Sequence, residues 1–135
     1  MISHLYIGLS DFDRAMAFYR PFAAAMGLHE RFCEAEPGWA GWHQPDSIRP
    51  LFIVGRPWNG EPHVPGNGQM VAFMVEQRAK VRELHALALT LGGTCEGLPG
   101  LRPHYHRHYY GAYFRDTEGN KIGVACHLPV ETAGD

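Results

Sequence analysis

Nine histidines in 135 residues are the first chemical feature of this sequence. Three of them, His104, His106 and His108, alternate within LRPHYHRHYY. In an extended segment they would share one face, with neighbouring Cα atoms about 6.6 Å apart. Imidazoles so placed could gather a metal ion or give protons to an anionic ligand. Pro103 and Arg107 favour instead an irregular loop, with His104 and His106 at the rim of a pocket. His4 opens the first apolar run, HLYIGL, as a pocket acid or base or as an imidazole satisfied by a neighbour. Tyr105, Tyr109, Tyr110, Tyr113, Trp39, Trp42, Phe52 and Phe73 could line an apolar cleft or fill the core. Cys126 falls in step with Ile122 and Val124, as a small buried hydrophobe does. No Ser-His-Asp or Cys-His arrangement is supported by spacing.

Positioning these side chains requires a folded domain. The length allows one domain with a substantial core. A formal net charge of -2, with no basic run, argues against nucleic acid as a partner. No apolar run approaches the roughly 20 residues that cross a bilayer, and the N-terminus shows no secretory pattern. Cys33, Cys95 and Cys126 are odd in number and form no CxxC, so reduced thiols in the cytoplasm are the expectation.

The element order comes from period and punctuation. His4–Leu9 reads as a strand. A helix follows Ser10 or Asp11, either of which suits the N-cap. Its apolar stripe is Phe12, Met16, Tyr19, Ala23 and Met26; Pro21 predicts a kink or restart, and Gly27 a left-handed cap. Strands are predicted at Leu28–Cys33, Gly38–His43 and Pro50–Val54, with a turn-rich connection at Pro45–Pro50. Arg56–Gly68, rich in Pro and Gly, is a loop. The pattern then restarts with a strand at Gln69–Val75. A helix over Gln77–Leu91 carries Val81, Leu84, Ala88 and Leu91, with His85 at the stripe's edge. Thr94–Glu96 is a short strand and Gly97–Arg107 a loop. The stretch YYGAYFRDTEGNKIGVACH reads as strand, turn and strand. Glu131–Asp135 is read as a loose tail. The order is βαβββ twice, in units of about 1–57 and 68–128. The expected class is α+β: a curved, mostly antiparallel sheet with helices outside and a pocket in its concavity.

The runs ISHLYIGLSDFDRAMAFY, GQMVAFMV and YFRDTEGNKIGV resemble those of the vicinal oxygen chelate superfamily. This is the group of glyoxalases, bleomycin-resistance proteins and extradiol dioxygenases. The resemblance covers nearly the whole chain and implies the same paired βαβββ fold. It implies a divalent ion held by His and Glu from the first and last strands of each unit, acting as a Lewis acid. It also implies a homodimer.

The chain departs from that ligand pattern. His4 stands at the first-strand histidine, but Met70 stands at the second. Gly123 stands at the closing glutamate, and Phe52 at the matching position of the first half. A thioether poorly suits Mg, Mn or Fe(II). Two expectations follow. In the first, His4, Phe52, Met70, Gly123, His104, His106, Tyr109 and Tyr113 line a pocket for a small, partly apolar molecule, with no cofactor. The alternative is a lyase, isomerase or dioxygenase that holds a divalent metal through unusual histidine ligands.

Overall fold

A computed structural model describes residues 1–130, so the tail expected at 131–135 lies outside the described residues. The chain divides into two compact units, Met1–Gly66 and a second from Asn67.

The first unit runs β1 (His4–Gly8), α1 (Phe12–Ala25), β2 (His29–Glu34), β3 (Trp39–Gln44) and β4 (Ser47–Gly55). Its sheet has the order β1-β4-β3-β2, with β1 parallel to β4 and the other pairs antiparallel. Asp11 caps α1 by accepting the Arg14 amide at 3.1 Å. Gly27, at φ +77, lies just past the Met26 C-cap in a conformation that glycine adopts without strain.

A kink or restart is expected at Pro21; no restart occurs, and α1 continues through it. Pro21 and Ala17, whose carbonyl loses the missing amide, are both exposed. Water can therefore satisfy that carbonyl at little cost. The buried stripe is wider than predicted, adding Ala15, Phe18 and Phe22. The Tyr19 ring meets Phe52 and Trp42 at 5.5 and 6.3 Å, which fixes the sheet face turned to the helix.

The second unit runs β5 (Val71–Val75), α2 (Arg78–Thr90), β6 (Thr94–Leu101), β7 (Tyr110–Arg115) and β8 (Lys121–Cys126). Its order, β5-β8-β7-β6, repeats the first, again with one parallel pair, β5 and β8. Strand β6 is longer than predicted. It takes in Gly97, Pro99 and Gly100 through two register shifts against β7. An edge strand tolerates a proline there because one side of its ladder is unpaired. His85 lies inside the core rather than at its edge, 4% exposed, with Nε2 3.3 Å from Cys95 Sγ. The β7–β8 turn is held by Asp116. Its Oδ1 accepts the Glu118 and Asn120 amides at 2.8 and 2.9 Å, and its Oδ2 accepts Asn120 Nδ2 at 3.0 Å. Gly119 in this turn has φ +85.

Each unit therefore has a helix-covered sheet face and an opposite, open one. Alternation along the strands decides which side chains belong to which.

Candidate functional site

In the first unit, β1 turns Leu5 and Ile7 one way and His4, Tyr6 and Gly8 the other. The second set lines a cavity of about 720 Å³, together with Pro37, Trp39, Arg56, Pro57, Trp58 and His63. The Tyr6 hydroxyl donates to the Arg56 carbonyl at 2.6 Å, and burial raises its phenol above the usual value. Glycine makes room at two points on this face. A Cβ on Gly8 would run into the His63 ring, and one on Gly55 into the Tyr6 phenol. The loop after β4 returns to the sheet because the His63 amide donates to Ser10 Oγ at 2.8 Å. Trp39 Nε1 donates to Glu34 at 2.7 Å, which orients the indole. Arg56 Nη1 donates to the Glu36 carbonyl at 3.2 Å.

Of the residues singled out in the first half, His4 lines this cavity, exposed and 2.9 Å from Ser3 Oγ through Nδ1. Phe52 does not. It is 5% exposed and packed against Tyr19 of α1, so it belongs to the core. The parallel register gives the reason. His4 pairs with Leu51 and Tyr6 with Ile53, so the open face of β4 carries Leu51, Ile53 and Gly55. A one-residue shift in a strand moves a side chain to the other face. The aromatic pair in β3 divides likewise: Trp42 is core and Trp39 lines the cavity. Tyr6, Arg56, Trp58 and His63 were not anticipated. The alternation His4, Tyr6, Gly8 carried the signal for Tyr6, whereas the loop residues reach the cavity only through tertiary folding.

In the second unit, Tyr110 lies beneath Arg78 and Arg82 of α2, 5.4 and 5.9 Å from ring centre to guanidinium carbon. That sets its side of β7 toward the helix and puts Gly111 and Tyr113 on the open face. Tyr113 pairs with Gly123 on one neighbouring strand and Gly97 on the other. A Cβ on Gly123 would lie 3.1 Å from the Tyr113 ring and 3.3 Å from Ala72 Cβ; on Gly97 it would lie 2.9 Å from the same ring. The phenol therefore fills the space above two glycines. Arg102 and Lys121 stand 5.5 and 5.6 Å from its centroid, and its hydroxyl is 2.8 Å from that of Tyr109. Burial first, and the Tyr109 hydroxyl second, push the Tyr113 phenol well above the usual value.

The segment carrying His104, His106 and His108 is a series of turns, so the three imidazoles do not share a strand face as their alternation suggested. His104 packs on Tyr105, ring centres 4.3 Å apart. His106 Nε2 lies 2.8 Å from His127 Nδ1, one nitrogen donating to the other, and both rings meet Tyr109 edge-on. The His108 amide donates to His106 Nδ1 at 3.1 Å. Met70 precedes β5 and is 46% exposed.

The positions that the superfamily would use for a divalent ion do not supply its ligands. In the first unit they offer His4 beside the aliphatic Leu51 and Ile53. In the second they offer a thioether, Met70, and Gly123, whose side-chain space is taken by Tyr113. Among the described residues no three His, Cys, Asp or Glu side chains converge as a ligand group. This donor set does not fit a hard divalent ion.

No protein-family model matches the chain, and no curated protein matches it. Solved structures do. A glyoxalase/bleomycin resistance protein from Albidiferax ferrireducens is 29% identical, with a TM-score of 0.82 over 93% of this chain and 98% of that one. A glyoxalase/bleomycin resistance protein/dioxygenase family enzyme from Burkholderia phytofirmans is 22% identical, with a TM-score of 0.71 over 93% and 98%. A lactoylglutathione lyase from Agrobacterium tumefaciens is 23% identical, with a TM-score of 0.62 over 93% and 92%. The repeated βαβββ order and these structural matches give the chain the fold of the vicinal oxygen chelate superfamily, and it is similar to that superfamily's glyoxalase/bleomycin resistance/dioxygenase proteins.

Proposed function

We propose that this protein binds a small, partly apolar molecule in the cavity of its first unit and does so without a resident metal. The observation that carries the reading is the cavity's lining: Tyr6, Trp39 and Trp58 supply aromatic surface, while His4, His63 and Arg56 supply a few polar groups. An apolar wall with sparse oriented polar groups is the usual composition of a small-molecule site. The loss of the ligand pattern at Met70 and Gly123 supports the absence of metal from its action.

The test is calorimetric screening of purified protein against small aromatic and aliphatic compounds, with metal analysis of the same sample. Saturable binding at one site, with no stoichiometric metal, is the expected result. Stoichiometric Zn, Mn, Ni or Fe that is lost in His4→Ala would overturn it.

A second reading, a metal-dependent lyase, isomerase or dioxygenase with unusual ligands, draws on the His106–His127 pair. It lacks a third ligand among the described residues. The same metal analysis, repeated on His127→Ala, tests it. The protein is further proposed to be a homodimer, checked by light scattering, and to act in the cytoplasm, where the free thiols Cys33, Cys95 and Cys126 would stay reduced. No helix among the described residues is long and apolar enough to cross a membrane.

A further inference from the structure

We infer that the ligand of the first-unit cavity is a planar aromatic anion, its ring held by Trp58 and Trp39 and its acid group by Arg56 with His4 and His63. This inference rests on the binding function proposed above and adds the ligand's class.

Trp58 is the first observation. Its relative exposure is 102%, yet it borders the cavity. An indole left wholly in water forgoes the burial that usually offsets its apolar surface. The segment presenting it is well ordered by local bonds. The Gly60 amide donates to the Pro57 carbonyl at 3.1 Å, and the Glu61 amide to Asn59 Oδ1 at 2.9 Å. Gly60 supplies the positive φ of +74 that the turn needs. Proline and this turn hold the indole at the cavity mouth, which lowers the ordering cost of a stacking partner. Trp39, fixed by Glu34, provides a second indole in the same lining.

Charge is the second observation. Besides the Tyr6 phenol, the ionisable lining side chains are one guanidinium, Arg56, and two imidazoles, His4 and His63. No Asp or Glu is among the lining residues. The carboxylate of Glu34 is engaged by the Trp39 indole N–H. A guanidinium has five N–H donors in a fixed fork, and the Glu36 carbonyl takes only one bond from Nη1 of Arg56. Such a fork matches the geometry of a carboxylate. An aromatic cation would meet like charge there, and an aliphatic acid would leave the indoles without a stacking partner.

The experiment is isothermal titration of the full chain with naphthoate, naphthamide and cyclohexanecarboxylate. Naphthoate is expected to bind about tenfold or more tightly than either of the others. Trp58→Ala lies on an exposed turn and should keep the fold by circular dichroism while weakening naphthoate about tenfold. Arg56→Gln should remove the preference of naphthoate over naphthamide. Should Arg56→Gln fail to fold, the wild-type comparison of naphthoate with naphthamide decides the role of charge. Equal affinity for those two compounds, or an unchanged affinity in Trp58→Ala, overturns the inference and leaves small-molecule binding standing. No binding of any compound in this series or the wider screen overturns both.

Discussion

Gly123→Ala adds one methyl group at the position where the superfamily's metal enzymes carry a glutamate, and its cost follows from the Tyr113 ring. The new Cβ would lie 3.1 and 3.2 Å from two ring carbons and 3.3 Å from Ala72 Cβ. Each contact is tighter than ordinary packing, so Tyr113 must yield. Its freedom is small: the ring's far edge already fills the space above Gly97, and its hydroxyl is bonded to Tyr109. Gly123 has no positive φ, so alanine brings no backbone strain. Overpacking of this kind costs about 1–3 kcal/mol. Replacing glycine at a compatible φ returns about 0.4–1 kcal/mol through the unfolded chain. The expected net loss is about 0–2.6 kcal/mol, or a fall of up to roughly 9 °C in melting temperature. In a Tyr113→Ala background only the 3.3 Å contact with Ala72 Cβ remains, and the same substitution should cost clearly less than in the native protein. Urea denaturation of the four proteins of this cycle measures the coupling. Equal destabilisation by Gly123→Ala with and without Tyr113 would refute the account of the open face given above.

Other expectations concern the scaffold. Asp116→Ala removes three hydrogen-bond acceptances from the β7–β8 turn and should cost about 2 kcal/mol by urea denaturation; Asp116→Asn should cost less, because one oxygen remains. Burial lowers the pKa of His85 below 6.5 in the folded state. The unfolded chain then binds more protons, so the stability associated with this group is complete above 6.5 and falls as pH drops below it. His85→Leu should flatten the fall in urea midpoint between about pH 7.5 and about pH 5 relative to the native protein, and an unchanged slope would refute the burial argument. Ser10→Ala removes the acceptor of the His63 amide; exchange of that amide should speed up while the urea midpoint stays within about 0.5 kcal/mol of the native value.

How far the sequence disclosed this molecule depends on the range of each interaction. The β7–β8 hairpin was legible because Asp116, Gly119 and Asn120 act within a few residues of one another. Both helices were legible from their apolar period. Pro21 misled because proline signals a missing amide, but not whether the orphaned carbonyl faces water. Phe52 misled because strand parity turns over with each residue, and only the pairing of His4 with Leu51 fixes it. For the three alternating histidines, Pro103 and Arg107 were the better guide than the alternation, because alternation means a shared face only in an extended chain and this segment turns. His4 was recognisable from its strand, whereas Trp58 and His63 reach the same cavity through the loop that Ser10 pins back.

The same alternation explains how a fold can keep its frame while its chemistry changes. In β8 the residues Ile122, Val124 and Cys126 are buried on the side that faces α2, and they repeat the role of Phe52 and Val54 in β4. Between them Gly123 and Ala125 belong to the other face, as do Ile53 and Gly55. A substitution on one face leaves the other's packing almost untouched, because neighbouring side chains in a strand point apart. Glycine at position 123 therefore costs the helix-side core nothing, yet it removes a possible carboxylate ligand and admits the Tyr113 ring. In the first unit the glycines at positions 8 and 55 instead make room for His63 and the Tyr6 phenol beside the cavity. One repeated scaffold thus presents an aromatic cavity on one sheet and a tyrosine-filled face on the other, and the difference lies in a few open-face residues to which the core is indifferent.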